Sequence, residues 1–100
     1  MRPYPIRKEY LISYDVEENS VRTRLLKELQ KYGLKAIQKS VFWGYLTRAE
    51  LKGINRYMKE NLSASDKAFI VLSKFNSSQL CYLVGHDKNE FRDWEETLVI

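Results

Sequence analysis

The chain has 100 residues, 44% hydrophobic and 30% charged, with a net charge of +4, one cysteine and one histidine. That length makes a single domain; the lone Cys81 excludes an internal disulfide, and Cys81 with His86 excludes a self-contained thiolate and imidazole zinc site. No run approaches the roughly 18 apolar residues of a membrane span, and the opening MRPYPIRKEY lacks the apolar stretch of an export signal, so no membrane contact and a cytoplasmic location are expected.

Residues 1–8 read as an irregular arm, because Pro3 and Pro5 lack the amide a strand needs. Residues 9–15 follow as a strand that is apolar at Leu11, Ile12 and Tyr14 and ends on a carboxylate, Asp15. The first helix is capped by Asn19 or Ser20 and closed by Gly33, with Val21, Leu25, Leu26, Leu29 and Tyr32 on one arc. Residues 35–46, KAIQKSVFWGYL, are β-branched and aromatic. They make one long strand or two strands reversing near Lys39 and Ser40, and no Asn-Gly or Pro-Gly decides between them.

Thr47 and Glu50 form a capping box for the second helix, flanked by a Leu46–Leu51 staple, and Leu51, Ile54, Met58 and Leu62 line its apolar face. Residues 67–74 are a strand, 79–84 (QLCYLV) another, 85–94 a polar loop, and 97–100 (TLVI) a short terminal strand. The order predicts an α+β, ferredoxin-like βαββαβ sandwich over 9–84, with an extra C-terminal strand in the segment 85–100.

The strands are apolar on both faces. Phe69 and Val71 oppose Ile70 and Leu72, and Val41 and Trp43 oppose Phe42. Two helices cover only one face of such a sheet. A homodimer with facing sheets is the expected cover, and the loop 85–94 folding over the open face is the alternative. In such a dimer Asp15 lies near the twofold axis, where one carboxylate from each chain could hold a shared Mg2+. The bland alternative is that Asp15 starts a polar turn. Arg22, seven residues on, falls inside the apolar arc of the first helix, where arginine ordinarily needs a carboxylate or phosphate partner.

Charge is uneven. Between Arg22 and Lys59 there are ten lysines and arginines and two glutamates; between Asp87 and Glu96 there are five acids and two bases. Arg48, Lys52, Arg56 and Lys59 make one stripe along the second helix, and Arg24, Lys27 and Lys31 one along the first. Such stripes suit a phosphate backbone and carry no groups that read sequence; a merely solvated face is the alternative for each.

YDV at the end of the first strand, Arg22, KYGL closing the first helix, and IQKSVFWG followed by LTRAEL resemble the CRISPR-associated protein two family over residues 9–75. The resemblance implies the ferredoxin-like homodimer with Asp15 as magnesium ligand at its interface. It also implies metal-dependent cleavage of single-stranded RNA or duplex DNA, and a place in spacer acquisition, where the dimer bridges subunits of the larger CRISPR integrase. The family's helix arginine corresponds to Arg22, and its serine, phenylalanine and glycine to Ser40, Phe42 and Gly44. On this reading Tyr14 and Arg22 position the nucleic-acid strand, Ser40 and Phe42 shape the site, and the C-terminal portion contacts the integrase. A non-catalytic adaptor and a stand-alone toxin-type ribonuclease of the same fold are the alternatives.

Overall fold

The computed structural model describes residues 6–75 and 82–92. Its elements are β1 (Arg7–Asp15), α1 (Asn19–Lys31), β2 (Lys35–Gln38), β3 (Val41–Thr47), α2 (Arg48–Asn61), β4 (Lys67–Leu72) and a 3-10 turn (Lys88–Phe91). The strands form one antiparallel sheet in the order β2-β3-β1-β4. This is the ferredoxin-like arrangement expected from the sequence. Among the described residues no helix is long and apolar enough to cross a membrane.

Local chemistry explains most boundaries. Helix α1 follows Glu18, whose carboxylate accepts from the Ser20 hydroxyl at 2.7 Å; Asn19 and Ser20 are its first residues rather than its cap. It ends where Gly33 takes φ +81°. There the Gly33 amide donates to Gln30 O and the Leu34 amide to Leu29 O, a closure that left-handed glycine permits. Helix α2 carries the predicted capping box: Glu50 N donates to Thr47 Oγ1 at 3.2 Å and Thr47 N to Glu50 Oε1 at 2.8 Å.

Residues 35–46 resolve into a hairpin. Lys39 and Ser40 reverse the chain, with Ser40 at φ +63°, a conformation few residues other than glycine, asparagine and aspartate adopt. The Ser40 carbonyl accepts from the Tyr14 amide at 3.1 Å, which ties this turn to the end of β1.

Both helices lie on one side of the sheet. Ile12, Phe42, Leu46, Leu25, Leu29 and Ile54 form the centre of the core between the layers, each at most 1% exposed. Strand β1 starts at Arg7, two residues before the sequence suggests, so the irregular arm cannot extend through Lys8. The expected strand 79–84 is corrected in part: residues 82–84 are irregular, and Tyr82 and Val84 stand exposed. Gly85, at φ +79°, turns the chain just beyond them. Residues 79–81 and the expected terminal strand 97–100 lie outside the described residues.

Candidate metal and nucleic-acid site

Side chains alternate along a strand, so the register of β1 sorts the sheet into two faces. Leu11 pairs with Trp43 and Val71, Ser13 with Val41 and Phe69, and Asp15 with Lys67, all on the face turned away from the helices. Tyr10, Ile12 and Tyr14 point into the helical layer with Phe42 and Ile70.

The outer face is covered at one end by the chain itself. Phe91 is fully buried and packs edge-on against Trp43, with ring centroids 5.0 Å apart, and stacks on Phe75 at 4.7 Å. Below these rings lies Glu9, whose Oε2 accepts from Trp43 Nε1 (3.0 Å), Ser73 Oγ (2.6 Å) and Phe75 N (2.7 Å). His86 joins the flap to the edge strand, meeting Gln38 at 3.3 Å and Glu90 at 3.2 Å. The covering loop weighed as an alternative therefore does fold over this face, but only over its Trp43 end.

None of the described residues covers the other end. Phe69 is 52% and Val71 43% exposed. Asp15 is exposed at the end of β1, and among the described residues nothing hydrogen-bonds to its carboxylate. Lys67, its register partner on β4, stands directly opposite. The chain turns into α1 immediately beyond. Arg22 Nη1 donates to Val16 O at 2.6 Å and lies 3.4 Å from Glu17 O, and Nη2 donates to Asn19 Oδ1.

Asp66, in the loop before β4, reaches the same segment: Oδ1 accepts from Glu17 N at 3.2 Å, while Oδ2 accepts from Ser63 N at 2.9 Å and Ser63 Oγ at 3.1 Å. The Ser63 amide first, and the Glu17 amide second, hold its carboxyl below the ordinary aspartate value.

The predicted site residues divide accordingly. Asp15 and the Ser40 turn lie at the same end of the sheet. Tyr14 and Phe42 face the opposite way and are buried, at 7% and 1% exposure, because each differs in strand parity from Asp15's face. They pack together, with ring centroids 6.2 Å apart, in the helical layer behind the face that carries Asp15. Burial raises the Tyr14 phenol's pKa against the opposing pull of the Arg22 charge, so the phenol stays protonated near neutrality. Arg22 finds its partners in backbone carbonyls and Asn19, in place of the carboxylate or phosphate that its position on the wheel suggested.

Arg24, Lys27, Lys31, Arg48, Lys52, Arg56 and Lys59 are all exposed. They sit on the helical layer, with α1 starting and α2 finishing at the Asp15 end, so Arg24 and Lys59 are the members nearest that acid. The α2 stripe, from Arg48 to Lys59, runs about 16 Å at 1.5 Å per residue. Lys67 and Asp66 escaped the sequence reading; strand pairing could have suggested Lys67, whereas the partner amide of Asp66 is 49 residues away.

A single open carboxylate fits a hard cation. Carboxylate oxygens suit Mg2+, which takes one or two of them and keeps several waters. Among the described residues no group of three or more metal-ligating side chains gathers around Asp15 or elsewhere.

Residues 8–80 match the family model for CRISPR associated protein Cas2. The chain is 50% identical over 91 residues to a CRISPR-associated endoribonuclease Cas2 of Francisella tularensis subsp. novicida, covering 91% of this chain and 94% of that one. It is 31% identical over 81 residues to a CRISPR-associated endoribonuclease Cas2 of Methanospirillum hungatei, covering 81% and 85%. A crystal structure of cas2 matches with a TM-score of 0.66 and 28% identity over 83% of this chain and 92% of that one. A hypothetical protein of Thermus thermophilus matches with a TM-score of 0.62 and 28% identity over 67% and 82%.

Proposed function

Since this chain belongs to the CRISPR associated protein Cas2 family, we propose that it is a homodimeric, magnesium-dependent endonuclease of a CRISPR system, acting in spacer acquisition beside the larger integrase subunit. The observation that supports this reading is the exposed end of the outer sheet face, where Phe69 and Val71 adjoin a carboxylate that has no hydrogen-bond partner among the described residues. A second copy would cover those apolar side chains and bring a second Asp15 to the first. Two carboxylates are then available to one ion, which suits magnesium. The names of the two relatives favour RNA as the substrate, with duplex DNA second.

The chain's own groups supply the rest. Asp15 holds the cation site. Lys67, opposite it, offers a positive charge to a phosphate on the same face. The exposed cations of α1 and α2 hold the nucleic-acid backbone without regard to sequence. Bound magnesium would polarise a phosphodiester oxygen and make a water acidic enough to attack.

Asp15→Ala tests the reading. Cleavage of single-stranded RNA and duplex DNA, followed across a magnesium titration, should fall by more than the ~10–100-fold that outer partners of a metal site are worth. Duplex binding by the helix faces should persist and weaken steeply with salt. Undiminished cleavage by the purified variant would overturn the catalytic role. A second reading, a structural adaptor that bridges integrase subunits without cutting, is favoured by the sparseness of the site: one open acid per protomer, with Tyr14 and Phe42 turned away. In that case Asp15→Ala leaves integrase capture and spacer acquisition intact.

A further inference from the structure

Asp15 is the last residue of its strand; the sheet holds it through Lys67 on β4 and, one residue earlier, through the Tyr14 amide on the Ser40 carbonyl at 3.1 Å, but nothing in the sheet holds the residues that follow Val16. Pairing of β1 with β3 stops at Ser13–Val41 and pairing with β4 at Asp15–Lys67. Residues 16–18 are irregular. A strand end of this kind ordinarily frays, and a frayed carboxylate is a poor ligand because its orientation must be fixed again on each binding event.

Two charged side chains from different elements counter this. The guanidinium of Arg22, from α1, takes the Val16 carbonyl at 2.6 Å and lies 3.4 Å from that of Glu17. The carboxylate of Asp66, from the loop before β4, takes the Glu17 amide at 3.2 Å and is itself pinned by the amide and hydroxyl of Ser63. One dipeptide is thus gripped at its carbonyls by a cation and at its amide by an anion. Bonds in which one partner is ionised are shorter and stronger than neutral ones. Asp66 also immediately precedes Lys67, the residue opposite Asp15, so the same grip joins the exit of β1 to the entry of β4.

We propose that Asp66, acting with Arg22, is a positioning residue that fixes the direction in which Asp15 presents its carboxylate to a divalent cation. This rests on the metal-site reading above. Arg22 then serves the site from behind, through the main chain, and contacts no nucleic acid.

The test compares Asp66→Ala, Asp66→Asn and Asp15→Ala in the full-length protein. Binding of Mn2+ alone, as a spectroscopic stand-in for magnesium, is titrated in each, beside thermal melting and the magnesium concentration giving half-maximal RNA cleavage. Asp66→Ala should weaken Mn2+ binding about 10-fold, the low end for loss of an outer partner, and raise the half-maximal magnesium by a similar factor. Asp66→Asn, which keeps the size and one oxygen acceptor, should fold and lose less.

A fall in melting temperature with unchanged Mn2+ affinity would make Asp66 merely structural and overturn the inference. If Asp15→Ala abolishes Mn2+ binding and neither Asp66 variant alters it, the clamp alone is refuted. If Asp15→Ala binds Mn2+ as the parent does, the metal site itself falls, and the positioning role with it.

Discussion

Glu9 and Asp15 stand on the same face of the same strand, about 20 Å apart at 3.3 Å per residue, and their surroundings are opposite. Glu9 collects an indole, a hydroxyl and a backbone amide and lies beneath a flap sealed by Phe91. Asp15 collects no hydrogen bond among the described residues and adjoins apolar side chains left in water. The difference separates two uses of a carboxylate. One whose lone pairs are filled by protein donors is a structural fastener; one whose oxygens are open, on a backbone held from elsewhere, is available to a ligand. Counting acids in the sequence cannot tell them apart.

The covered end depends most on the flap. Phe91→Ala should cost about 3–5 kcal/mol, the range for removing a fully buried phenylalanine, and should expose Trp43, seen as a red shift of its fluorescence with urea unfolding as the stability measure. A cost below about 1 kcal/mol would mean that the covered end is as bare in solution as the Asp15 end.

Next comes the pair itself. Glu9→Gln removes the charge and puts an NH2 donor in place of one acceptor oxygen, facing donors already aimed at it, and should cost about 1.5–3 kcal/mol, the worth of hydrogen bonds to a charged group. Asp15→Asn should stay within about 0.5 kcal/mol, as for a surface change that disturbs no partner. Equal losses in urea unfolding would erase the distinction.

The smallest effect sharpens the bare end. Because the folded value of Asp66 is depressed, its contribution to stability is complete above the ordinary unfolded carboxylate value of about 3.9. It is lost as pH falls from there through the depressed value. The gap in urea midpoint between the parent and Asp66→Asn should be constant above about pH 5 and close in stronger acid; a gap that widens on acidification reverses the sign and the assignment.

Much of the architecture could be read in advance because it is written locally. The Thr47–Glu50 box, the glycine after α1 and the arc containing Leu25 and Leu29 all concern residues within a few positions of one another. The hairpin at Lys39 and Ser40 was undecided because Ser40 adopts a left-handed conformation without being glycine or asparagine. Residues 82–84 have a strand's composition, yet the nearby chain is anchored by Phe91, an aromatic in a polar run whose burial depends on Trp43 and Phe75.

Within the site, Asp15 was legible as an acid ending an apolar strand. The inward turn of Tyr14 follows from its being one residue away, a parity that an argument from motif alone overlooks. Asp66 was hidden for a different reason. Its meaning comes from an amide distant in the chain, and no periodicity records that meeting.

Glu9 and Asp15 stand an even number of positions apart, and β1 has period two. Inserting or deleting a single residue between them would send one acid into the helical layer and one of the core side chains out into water. The length of this short stretch is therefore under tighter constraint than its composition. Exchanges such as Leu11→Ile should be accepted there readily, whereas a one-codon indel would spoil the fastener, the open carboxylate and the packing together.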